Sequence, residues 1–139
     1  MKIFHVLLIH HLLPLNGTHA KPMQSNTEII PYLNQSEYLQ ETIAQLEKDL
    51  SAFGISIHFS VVTNNIYEQL LTEISIALTP FLGTKTSSLY SILYRIDIPE
   101  KMVTETKKHF PEYSLGKQLA HCILVRELQK VISRKHFHL

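Results

Sequence analysis

"SLYSILYRIDIPE", residues 88–100, decides between an all-helical chain and a mixed one. Leu89, Ile92, Leu93 and Ile96 fall at helical spacing, while Tyr90, Ile92, Tyr94, Ile96 and Ile98 alternate as a strand requires. The flanks favour the helix. Thr86 to Ser88 supply caps, and Asp97-Ile98-Pro99-Glu100 has the form of a fresh helix start, with proline in the first turn and an acid beside it. A short helix follows over Pro99–His109, closed by "HFPEYS".

Upstream, Leu39, Ile43, Leu46, Leu50 and Phe53 step by four and three along one face of a helix expected over Gln35–Phe53. Asn34 and Glu37 have the spacing of a capping box, and Gly54 suits the left-handed residue that ends a helix. Glu41, Glu47, Lys48 and Asp49 lie off that stripe. "ISIHFSVV", residues 55–62, alternates apolar and polar side chains and predicts a strand. A lone strand needs a partner: the preceding residues, a second copy of the chain, or a segment that only looks helical. Asn65 and Glu68 open a further helix to Leu82 that buries Ile66, Leu70, Ile74, Leu78 and Phe81, with Pro80 disturbing its last turn. "GTKTSS", residues 83–88, is a loop.

Downstream, Ser114 caps a last helix expected over Leu115–Lys135. Arg126, Lys130 and Arg134 recur every four residues as a basic stripe, roughly opposite Ala120, Leu124, Leu128 and Val131. That stripe is either a solvated helix face or a candidate surface for nucleic-acid phosphates or an acidic protein. Arg95, Asp97 and Glu100 set charges in an otherwise apolar segment, where an unpaired buried charge costs several kcal/mol. The expected structural network pairs Arg95 with Glu127 and Asp97 with Arg126. The fold class is therefore mostly α, a small helical domain with one short β element; α+β is the alternative.

Length and composition agree with one domain. The chain has 139 residues, 45% of them hydrophobic and 18% charged, which is too apolar for a disordered protein. Its net charge of +1 conceals an acidic body, with three basic and nine acidic residues over 23–100, and a basic remainder, with eight and three over 101–139. The single cysteine, Cys122, forms no internal disulfide.

Residues 1–22 read as a leader before a single domain over 23–139. Met1-Lys2, the apolar run Ile3–Leu15 and Thr18-His19-Ala20 have the outline of a signal peptide, but His5, His10, His11 and Pro14 interrupt its core. The run is too short for a membrane span, which takes about 20 residues. A start at Met23 fits better, so the cytoplasm is expected, with export as the alternative.

No phosphate loop, dinucleotide fingerprint, zinc-type cysteine pair or nucleophile elbow occurs, and no cofactor, metal or catalytic residue is assigned. His121 and Cys122 point about 100° apart on a helix and do not make a nucleophilic dyad. "LYSILYRIDIPEK" and "CILVRELQKVISRK" resemble stretches of a group of small uncharacterised bacterial proteins with LLYRID-like and RELQK-like segments, and "YLQETIAQLEKDL" matches them more loosely. The resemblance spans Leu89–Lys135 and implies a bacterial cytosolic protein, without an activity. Together these readings favour a non-enzymatic interaction or regulatory module, with an unidentified protein partner and a homodimer as candidates. Nucleic-acid binding through the basic helix is the alternative.

Overall fold

The computed structural model describes residues 26–59 and 64–137, and six α-helices follow one another along them. They are α1 (Asn26–Leu33), α2 (Ser36–Ser51), α3 (Ile66–Leu78), α4 (Thr86–Ile96), α5 (Glu100–His109) and α6 (Leu115–Phe137). A 3-10 turn over Thr79–Phe81 extends α3, with Pro80 in its first positions. The protein is mostly helical, and residues 88–96 are helix. The leader lies outside the described residues.

α6 organises the rest. It packs against α2, α3, α4 and α5, while α1 closes over α2 and α3. From Gln118 to Ser133 every residue of α6 except Lys130 is buried, on all sides of the helix. This corrects the expected one-sided apolar stripe. Leu119, Ala120, Cys122, Ile123, Leu124 and Val125 leave His121 as the one polar residue over two turns, and a helix apolar nearly all round belongs inside.

Three local corrections concern helix ends and faces. α1 was not anticipated, because Pro31 sits inside its eight residues and interrupts helical hydrogen bonding. α2 begins after Gln35, which makes no side-chain cap, rather than at an Asn34–Glu37 capping box. Its buried face includes Asp49 and Thr42 as well as Leu39, Leu46 and Leu50, because α6 meets it with polar groups of its own. Two caps follow the sequence. The Asn65 side chain accepts from the Glu68 N–H at 3.4 Å, and the Ser114 hydroxyl accepts from the Lys117 N–H at 3.2 Å.

Gly54, at φ +74°, ends α2 in the left-handed conformation, and the Ile55 N–H turns back to Leu50 O at 3.2 Å. Asp97, at φ 69°, does the same for α4, with the Ile98 N–H bonded to Leu93 O at 2.9 Å. The expected strand over Ile55–Val62 does not form in its described part. Ile55 and Ile57 are buried, Ser56 and His58 exposed, and the Ser56 hydroxyl meets His58 Nε2 at 3.3 Å across one residue. That alternation marks extended backbone. Yet no strand or sheet occurs among the described residues, so the extended stretch lacks a ladder.

Candidate functional site

Asp49 of α2 and Glu127 and Lys130 of α6 converge inside the protein. The Lys130 ammonium donates to Asp49 Oδ2 and to Glu127 Oε1, each at 3.1 Å. Gln45, one turn before Asp49, donates to the same Asp49 oxygen at 3.0 Å. The Arg95 Nε stands 3.7 Å from Asp49 Oδ1. Glu127 is wholly buried, and burial pushes its carboxyl up to about 8 despite Lys130. Asp49 lies below the usual carboxylate range: burial opposes this, but hydrogen bonds from Glu127, Gln45 and Lys130 outweigh it. Burial thus favours the protonated form of Glu127 beside an ionised Asp49, and Glu127 Oε2 has no hydrogen-bond partner among the described residues.

Arg126 is 2% exposed. Its Nε donates to the Asp97 carbonyl at 2.9 Å, and its Nη2 lies 3.9 Å from Asp97 Oδ2. Burial pulls the guanidinium below its usual value, against Asp97, Glu127 and Asp49. The left-handed turn at Asp97 therefore aims both carbonyl and carboxylate at one cation. The expected pairing of Arg95 with Glu127 is corrected: Arg95 reaches Asp49, and Glu127 engages Lys130.

The three residues of the basic stripe each have a partner within the chain. Arg126 points to Asp97, Lys130 to Asp49 and Glu127, and Arg134 donates to Gln45 Oε1 at 2.9 Å. Lys135, beside them, binds Glu37 at 2.6 Å and also Glu41. The acidic body and basic C-terminal third thus neutralise one another between α2 and α6. Asp49 was missed because it lies off the apolar stripe of α2; the charge imbalance was the only sequence signal for such a seam.

A second polar line crosses α3 and α6. Tyr67 OH meets His121 Nδ1 at 2.9 Å and Tyr113 OH at 3.4 Å, while Phe110 stacks on Tyr113 with ring centroids 4.6 Å apart. Burial raises the Tyr67 phenol. Cys122 turns to Thr106 Oγ1 at 3.2 Å and away from this line, and burial pushes its thiol up to about 11, which disfavours the nucleophilic thiolate.

The extended stretch 55–59 is the contrasting place. Two open hollows border it. One, of about 460 Å³, is lined by Glu47, Ser51, Ser56 and His58; the other, of about 540 Å³, by Leu39, Ile43, Phe59 and Ile66. Neither reaches Asp49 or Glu127. Apart from the Ile55 N–H, this stretch makes no backbone hydrogen bond among the described residues.

No group of three or more metal-ligating side chains occurs among the described residues, and no described helix is long and apolar enough to cross a membrane. No family model matches the chain, and no curated protein or solved structure is significantly similar to it.

Proposed function

We propose that this chain is a protein-interaction module, joined by a partner that lays an extended segment along Ile55–Phe59. The single observation carrying this reading is an extended backbone over 55–59 that joins no strand or sheet among the described residues, anchored by Ile55 and Ile57 and flanked by two hollows. Such an edge gains affinity from main-chain bonds and specificity from pockets that take alternate side chains. The acid–base groups support the same reading, since Glu127, His121 and Cys122 are each 0% exposed and serve the core. Arg126, Lys130 and Arg134 each bond within the protein, which favours this reading over phosphate contacts through that helix. The compartment is read as the cytoplasm, on the resemblance and on the lone Cys122.

Proline placed singly at Ser56, Ile57 and His58 tests the reading, with co-purifying proteins quantified by mass spectrometry from native cells. A partner is expected to disappear with period two, at 56 and 58 together or at 57 alone, while the helical circular dichroism stays unchanged. An identical set of co-purifying proteins for all three folded variants refutes it.

A further inference from the structure

We infer that Glu127 is a proton-operated latch on the seam between α2 and α6. While it holds its proton, α2 stays against α6; when the proton leaves, α2 lifts and takes the extended stretch 55–59 with it. The latch stands on the seam alone, and its bearing on partner binding rests on the strand-addition reading.

The seam is built largely from polar groups. Asp49 meets Lys130, Gln45 meets Arg134, and Glu37 and Glu41 meet Lys135. Gln129 and Ser133 share the stripe of Arg126 and Lys130 at helical spacing. They and Thr42 of α2 are buried, yet Thr42 Oγ1, Gln129 Nε2 and Ser133 Oγ have no hydrogen-bond partner among the described residues. α3 instead buries Tyr67, Leu70, Leu71, Ile74 and Leu78, and no ionised group. Unpaired buried polar groups favour water over the interior, so α2 is held less firmly than α3.

The charges that face Glu127 come from three helices. α2 supplies Asp49, α4 and its last turn supply Arg95 and Asp97, and α6 itself supplies Arg126 and Lys130. Their donors are unequally placed. Lys130, Gln45 and Arg95 approach Asp49, while Arg126 bonds to residue 97. Glu127 Oε1 shares Lys130 with Asp49, and its Oε2 has no partner among the described residues. An ionised Glu127 is thus a second carboxylate on one ammonium, in a side chain that is 0% exposed. Lifting α2 withdraws Asp49 and admits water to both oxygens. The closed seam keeps the proton up to about pH 8, because burial raises this carboxyl from 4.5.

α2 also carries the docking stretch. Gly54 ends the helix, and the Ile55 N–H bonds back to Leu50 O at 3.2 Å. Glu47 and Ser51 of α2 line one hollow; Leu39, Gln40 and Ile43 of α2 line the other, opposite Ile66 of α3. Movement of α2 therefore shifts the stretch and parts the second hollow.

Native-state hydrogen exchange of the full chain, resolved by residue and corrected for intrinsic amide rates at each pH, tests the latch. Residues 39–50 of α2 are expected to exchange through an opening at least about tenfold more populated than the one that frees residues 70–78 of α3. The opening of α2 is expected to grow about tenfold per pH unit between pH 5.5 and 7.5 and to level near pH 8, because the open seam releases a proton that the closed seam holds. Glu127→Gln is expected to remove that rise. Asp49→Asn is expected to bring the plateau to lower pH, since the Asp49 charge helps hold the Glu127 carboxyl up.

Equal opening of α2 and α3 at every pH, a parent α2 opening that is flat with pH, or a rise that survives Glu127→Gln overturns the latch. The docking reading is then still decided by the proline series. A latch that behaves as expected, beside a proline series that loses no partner, overturns only its bearing on binding.

Discussion

Replacing Glu127 with glutamine removes one ionisable group and leaves the shape of the site intact. The amide oxygen can accept from Lys130 as Glu127 Oε1 does. In the parent protein, burial raises the Glu127 carboxyl from 4.5 to about 8. The folded state therefore holds more protons than the unfolded chain between those values. The stability that Glu127 contributes is fully present below pH 4.5 and is lost as pH rises toward 8. At about 1.4 kcal/mol per unit, the loss between pH 4.5 and pH 7 is on the order of 3 kcal/mol. Urea unfolding followed by helical circular dichroism at pH 4.5, 5.5, 6.5 and 7.5 measures it. The variant should match the parent at the lowest pH and become more stable than it by about 3 kcal/mol near neutrality. Histidines are common to both proteins and largely cancel in the difference, and Asp49 stays ionised throughout because its carboxyl is held low. Parallel profiles, or a variant that weakens against the parent as pH rises, would refute a Glu127 carboxyl raised by burial.

Asp97→Asn keeps a side chain that tolerates the left-handed turn while withdrawing the carboxylate from Arg126. It should cost about 2–4 kcal/mol in the same unfolding assay, because the buried guanidinium loses the negative charge beside it and keeps neutral acceptors at residue 97. Gly54→Ala forces a Cβ into φ +74° with no steric neighbour within 4 Å, so the loss of about 1 kcal/mol in thermal unfolding should be purely conformational. Tyr67→Phe removes the hydroxyl on buried His121 and should cost about 1–3 kcal/mol, whereas Tyr113→Phe, at the longer 3.4 Å contact and half-exposed, should cost under about 1 kcal/mol.

Periodicity revealed α3, α4, α5 and the length of α6 because each carries strong local signals, and the Asn65 and Ser114 caps are local chemistry of the same kind. The run Leu119 to Val125 also held the clue that α6 is central, since it is apolar on every face apart from His121. Reading only residues 120, 124, 128 and 131 hid it. The orientation of Arg126, Lys130 and Arg134 was not legible: which side of a helix is solvent depends on what packs there, and Asp49 and Asp97 come from 81 and 29 residues away. The strand pattern of 55–59 correctly gave the alternation of burial but could not supply a neighbour, because pairing is a property of two segments.

α6 is also the last of the six helices to leave the ribosome, though the four around it close upon its surface. Until residues 115–137 emerge, α2, α3, α4 and α5 lack the helix that their greasy sides close upon, and Asp49 lacks the Lys130 ammonium. Nascent chains that stall or are cut before Leu115 therefore present themselves to chaperones and proteases as unfinished, and cooperative folding waits for residues 115–137.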